Sequence, residues 1–91
     1  MLILVQIDLS SADLASFDRY KKAVLALLAG HGASLIARVR ATDGRSETHL
    51  LQFPDAAALD AFKADPARTA LQGLWTACGA SSTVTEVVRV A

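Results

Sequence analysis

At 91 residues the chain has room for one domain, with a core limited to about 60 to 65 % of the surface the unfolded chain exposes. Nine basic residues balance nine acidic ones, so there is no positive field to hold nucleic acid or an anionic membrane as a main partner. The single cysteine, Cys78, excludes an internal disulfide and fits a reducing, cytoplasmic setting.

Apolar residues make up 53 % of the chain, above the usual globular share. A small domain this apolar is expected to hide surface against a partner, most simply a second copy of itself. Met1 runs directly into LILVQIDL without a basic leader, and a charge arrives by Asp8, so no signal peptide is expected. No apolar stretch is long enough to span a membrane.

The first element, LILVQIDL (2–9), carries Ile3, Val5 and Ile7 on one face and Leu2 and Leu4 on the other, the pattern of a central strand. Ser10-Ser11-Ala12-Asp13 is a helix-start signal. Leu14, Phe17, Tyr20, Val24, Leu27 and Leu28 then recur at helical steps as far as Gly30-His31-Gly32. ASLIARVRA (33–41) alternates, placing Leu35, Ala37 and Val39 on one face and Arg38 and Arg40 on the other, as in an edge strand. Thr42-Asp43-Gly44-Arg45 turns the chain into ETHLLQF (47–53), an antiparallel partner.

Asp55 can cap a helix bearing Ala58, Leu59 and Phe62, which stops at Asp65-Pro66. Asp65 and Pro66 suit the start of a further helical segment carrying Ala70, Leu71, Leu74, Trp75 and Cys78, closed by Gly79. STVTEVVRV (82–90) is the last strand, again with edge-like alternation. The order β-α-β-β-α-β, with right-handed crossovers, predicts a ferredoxin-like α+β domain. Its four-stranded antiparallel sheet has order 4-1-3-2 and helices on one face. The first and third strands also offer apolar side chains to the other face, so a homodimer through that open face is expected.

Within this fold, three well-known occupants lack their residues here. The first strand has no stacking aromatic for RNA, there is no Cys-x-x-Cys metal loop, and Asp8-Leu9-Ser10-Ser11 is not a phosphate loop. The chain instead resembles the dimeric α/β-barrel superfamily, which includes YCII-related proteins and antibiotic-biosynthesis-type monooxygenases, and within it a bacterial domain-of-unknown-function branch. The resemblance is carried by Phe17-Asp18-Arg19-Tyr20, His31-Gly32-Ala33, Phe53-Pro54-Asp55-Ala56-Ala57-Ala58 and Ala64-Asp65-Pro66-Ala67. Gln52 stands where that branch is expected to carry an acid, and Asp43-Gly44-Arg45 where a Glu-Gly is common. The resemblance implies a homodimer and a small pocket between sheet and helices in each subunit. In the monooxygenase relatives such pockets act without metal or bound cofactor, and none is expected here.

His49 is the leading catalytic candidate, an imidazole able to work as acid or base near neutrality, with Glu47 on the same strand face. The competing reading is a strand histidine bonded to a neighbour on the sheet or facing the dimer partner. Tyr20, Arg38 and Trp75 are the ligand-binding candidates. Each has a structural alternative: core packing for Tyr20 and Trp75, and solubility of an edge strand for Arg38 with Arg40. His31 reads as a polar joint and Cys78 as a buried apolar residue. No GxSxG, P-loop, GxGxxG or HExxH pattern occurs. The function this supports is small-molecule binding, with a cofactor-free monooxygenase-like reaction as its sharpest form. The alternative is a non-enzymatic dimerisation or stress-related module.

Overall fold

The computed structural model describes all residues, Met1–Ala91, as a slab with Cα extents of 35 × 33 × 17 Å, the thickness of one sheet and one helix layer. Its elements are β1 (Leu2–Asp8), α1 (Leu14–Leu25), a 3-10 turn (Leu28–His31), β2 (Ser34–Arg40), β3 (Ser46–Gln52), α2 (Ala56–Lys63), α3 (Pro66–Thr69), α4 (Gln72–Cys78) and β4 (Ser81–Val87). The sheet runs β2-β3-β1-β4 with every pairing antiparallel, so the expected 4-1-3-2 order is the order found. The doubly apolar strands do lie in the middle. No helix is long and apolar enough to cross a membrane.

The pleat sorts β1 cleanly. Ile3, Val5 and Ile7 are buried under the helices, while Leu2 and Leu4 turn to the open face. Phe17 of α1 is fully enclosed against this floor, a burial that contributes about 1.5–3 kcal/mol. Only 16 of 91 residues are buried, few for so apolar a chain, and the remainder leaves apolar surface outside.

The edge strand β2 departs from simple alternation. A bulge between Leu35 and Ala37 inserts Ile36, so Leu35 pairs with Leu51 but Ala37 pairs with Leu50. Leu35 therefore shares the helix-facing side with Arg38 and Arg40, while Ala37 and Val39 point to the open face. β4 also ends sooner than its alternation suggests, at Val87, and Val88 and Val90 lie outside the sheet, 79 % and 96 % exposed.

The helix boundaries follow capping chemistry. Asp55 accepts from the Ala58 N–H at 2.8 Å and opens α2, a contact typically worth about 1 kcal/mol. Asp65 does the same for Ala67, with Pro66 at the first helical position of α3. Asp13 occupies the cap position of α1, but its carboxylate is taken by the Ser16 hydroxyl rather than by a backbone amide. At the other end, Gly79 has φ +79°, and the Cys78 carbonyl accepts from the Asp13 N–H at 2.9 Å. A side chain at 79 would lie 2.7 Å from the Ser11 carbonyl oxygen, so the end of α4 docks on the start of α1 only because this residue is glycine.

Candidate functional site

The register of the sheet builds the site. Val5 lies opposite His49, Ile7 opposite Glu47, and on the other side Arg38 lies opposite His49 and Arg40 opposite Glu47. Residues paired across antiparallel strands share a face, so all four polar side chains enter the layer beneath the helices. There they form one network. The Glu47 carboxylate accepts from Arg40 Nε at 2.8 Å on one oxygen, and from Arg38 Nε at 2.9 Å and His49 Nε2 at 2.5 Å on the other. Both guanidinium groups also reach Asp18 on α1.

The side chains of Glu47 and His49 are each 1 % exposed. Burial pushes the Glu47 carboxyl upward, and it is the largest single influence. The hydrogen bonds from His49, Arg38 and Arg40 together outweigh it and hold the group below its ordinary value. Glu47 is thus an anion at neutral pH. Burial also lowers His49, helped by the nearby Lys21 and Arg38 charges and opposed by Glu47. A neutral imidazole facing an ionised carboxylate must donate from Nε2. Its Nδ1 then carries the lone pair and has no hydrogen-bonding partner in the chain.

Between sheet and helices lies a cavity of about 190 Å³. Ile3, Val5, Leu51 and Phe53 form its apolar floor, and His49 is in the wall. Tyr20 and Trp75 close it from α1 and α4, their rings 5.2 Å apart and tilted by 41°. Burial raises the Tyr20 hydroxyl above its ordinary value, so it remains a neutral donor. Lys21, only 8 % exposed, also faces this space. Its Nζ lies 5.5 Å from the Tyr20 ring, 5.6 Å from Trp75 and 5.9 Å from Phe17. Burial pulls it down to about 8, with Arg38 and Arg68 adding to the fall and Glu47 and Cys78 opposing it. Arg68 stacks over Phe62 at 5.4 Å, and its Nε is sealed from solvent with no hydrogen-bond partner.

Three of the four expected site residues, His49, Tyr20 and Trp75, therefore meet at one cavity. Arg38 does not join them. The bulge in β2 turns it inward, and Glu47 and Asp18 occupy its guanidinium, so it anchors the carboxylate that orients His49. Glu47, whose place beside a turn suggests solvation, is instead among the most buried side chains. His31 bonds Asp65 at 2.8 Å and packs edge-on against Phe62, tying the glycine joint to the start of α3. Cys78 is buried with its thiol on the Trp75 carbonyl. Asp8 holds the Ser10 amide and hydroxyl in the turn after β1.

Lys21, Lys63, Arg68, Gln72 and Ser82 are polar cavity residues that sequence reasoning missed. Lys21 stands four positions after Phe17, so the helical period itself places it on the buried face. Arg68 lies on a four-residue helix, too short to show a period. No group of three or more His, Cys, Asp and Glu side chains is placed to hold a metal ion.

Residues 2–88 match the family described as Domain of unknown function (DUF1330). No curated protein matches the chain. Solved structures share its fold at low identity. SnoaB from Streptomyces nogalater, described as a cofactor-independent oxygenase, superposes with a TM-score of 0.75 at 14 % identity, over 98 % of this chain and 94 % of that one. A dimeric ferredoxin-like protein of unknown function from Jannaschia sp. CCS1 gives 0.64 at 22 %, over 96 % and 100 %. An uncharacterised NIPSNAP domain protein from Burkholderia xenovorans gives 0.68 at 17 %, over 100 % and 98 %.

Proposed function

The chain belongs to the DUF1330 family, and we propose that in this member the cavity binds a small organic molecule on which His49 acts as a base, in a cofactor-free, monooxygenase-like reaction. The observation that carries this reading is the neutral imidazole on the cavity wall, held through Nε2 by an ionised Glu47 with Nδ1 unengaged. An oxygenase without a cofactor must draw electrons from the substrate, and ionising the substrate is the step a protein can assist. A buried base fixed by a carboxylate is the group for that step. Tyr20 and Trp75 form the ligand-binding walls, and Arg38 contributes by fixing Glu47.

The test is oxygen uptake with a panel of phenols and naphthols. A substrate found this way should be turned over at least 100-fold more slowly by His49→Ala, within the range usual for a lost general base. Unchanged turnover in that variant would remove His49 from the chemistry and the proposal with it.

A second reading has its own support. The open sheet face presents Leu2, Leu4, Leu50 and Val39 with no helix over them, and Val39 is 61 % exposed. We read this face as the contact of a homodimer, the assembly named for the Jannaschia protein of like fold. A dimerisation module with an incidental cavity would use the same face. The lone buried thiol fits a cytoplasmic setting for either role.

A further inference from the structure

The cavity has an unbalanced charge. The chain as a whole is neutral, yet Lys21, Lys63 and Arg68 line this space and no aspartate or glutamate does. The ion pairs of the chain join Asp18 and Glu47 to Arg38 and Arg40, and none includes Lys21 or Arg68. Glu47, the acid nearest Lys21 in effect, already accepts three hydrogen bonds. A buried cation without a counter-ion is costly, and so is an N–H sealed from water without an acceptor. Both costs fall on residues that line this cavity, at Lys21 and at Arg68 Nε.

We propose that the ligand of this cavity is an organic anion, a carboxylate or ionised phenol on a flat apolar body, whose negative oxygen faces Lys21 Nζ within the positive field of the Arg68 guanidinium. The rest of the lining fits the body of such a molecule. Ile3, Val5 and Leu51 offer an apolar floor, and the Tyr20 and Trp75 rings offer flat walls. The oxygen would accept from Lys21 Nζ and cancel the unpaired charge, with the Arg68 guanidinium adding attraction through space, which a neutral ligand of the same shape cannot gain. This inference rests on the small-molecule reading of the cavity and adds the class of molecule and the two residues that select it.

Trp75 is the chain's one tryptophan and lines the cavity, so its emission reports occupancy. Benzoate and benzamide share shape and differ in charge. Benzoate should change Trp75 emission saturably and bind at least tenfold more tightly than benzamide. Lys21→Met and Arg68→Gln should each weaken benzoate at least tenfold and leave benzamide within about twofold. Arg68→Gln and the wild-type comparison of the two compounds decide the matter independently of Lys21→Met. Equal binding of benzoate and benzamide would overturn the anion assignment while leaving a small-molecule cavity standing. No response to either compound at 10 mM, on the order of the weakest ligand worth calling specific, would overturn both.

Discussion

His49 and Glu47 stand two residues apart on one strand, and their side chains meet at 2.5 Å with neither open to solvent. The strand's period of two places them side by side on the helix-facing side. The two arginines of β2 then hold Glu47 from its other side. The carboxylate is thereby kept ionised, and through it one nitrogen of the imidazole is committed and the other is left available. This pair connects the fold's register to whatever chemistry the cavity supports.

Breaking the network at its centre has a defined cost. Glu47→Gln leaves two inward-turned arginines short of an anion, and it should destabilise the fold by about 2–3 kcal/mol, at the lower end for a buried pair because both arginines are partly solvated. Glu47 sits below its ordinary value in the folded state, so its contribution is complete at neutral pH and is lost as pH falls through that lowered value. Urea unfolding at pH 7 and at pH 3 checks both points, since the gap between wild type and variant should narrow in acid.

His49 has the opposite acid response to an ordinary ion-paired histidine. Burial lowers it in the folded state, so the unfolded chain binds the extra proton more readily. Stability carried by the neutral ring should be present above about pH 6.5 and should decline as pH falls below it. His49→Gln, which keeps a hydrogen-bond donor but cannot titrate, should show a flatter stability profile between pH 7 and pH 5. A wild-type profile as flat as the variant's would place the imidazole in a solvated, charged state instead.

Lys21 costs stability at neutral pH. Its amine falls to about 8 through burial, whereas the unfolded chain holds the proton to about 10.4. Lys21→Met should therefore raise the stability at pH 7 by roughly 1–2 kcal/mol, less than the full shift implies because the contacts with three aromatic rings are lost as well. The advantage should shrink between pH 8 and pH 10.5, where the folded wild type no longer carries the buried charge. Thermal unfolding across that range measures it.

Gly79→Ala should cost roughly 2 kcal/mol or more. The substitution combines a positive φ with a Cβ 2.7 Å from the Ser11 carbonyl, and the obstacle is backbone that cannot swing away. Gly30→Ala meets nothing within 4 Å and has no positive φ, so it should be close to neutral. Equal losses in the two variants would mean that the docking of α4 on α1 tolerates a shift.

The dimer proposal has a direct check. Sedimentation at micromolar concentration should give twice the 9.6 kDa chain mass, and Leu4→Lys, on the open face opposite Leu50, should give monomer with the helix layer intact by circular dichroism. A wild-type monomer would leave the open face uncovered and sink the proposal.

Much of this architecture follows from local pattern. Double-sided apolar runs made β1 and β3 central, alternation made β2 and β4 edges, the Asp55 and Asp65 signals began α2 and α3, and Gly79 ended α4. The membership of His49, Tyr20 and Trp75 in one cavity follows from the same periodicities once the strand order is known. Three features belong to the tertiary structure alone. The bulge at Ile36 decides which side Arg38 and Arg40 occupy, and a single unpaired residue leaves no mark in an alternating run. The burial of Glu47 depends on those arginines and on Asp18 arriving from other elements, so its charge state is a property of the assembled layers. Lys21 and Arg68 become unpaired cations only where helices and sheet enclose them, because whether a charge has a partner is settled by distance in space and not along the chain.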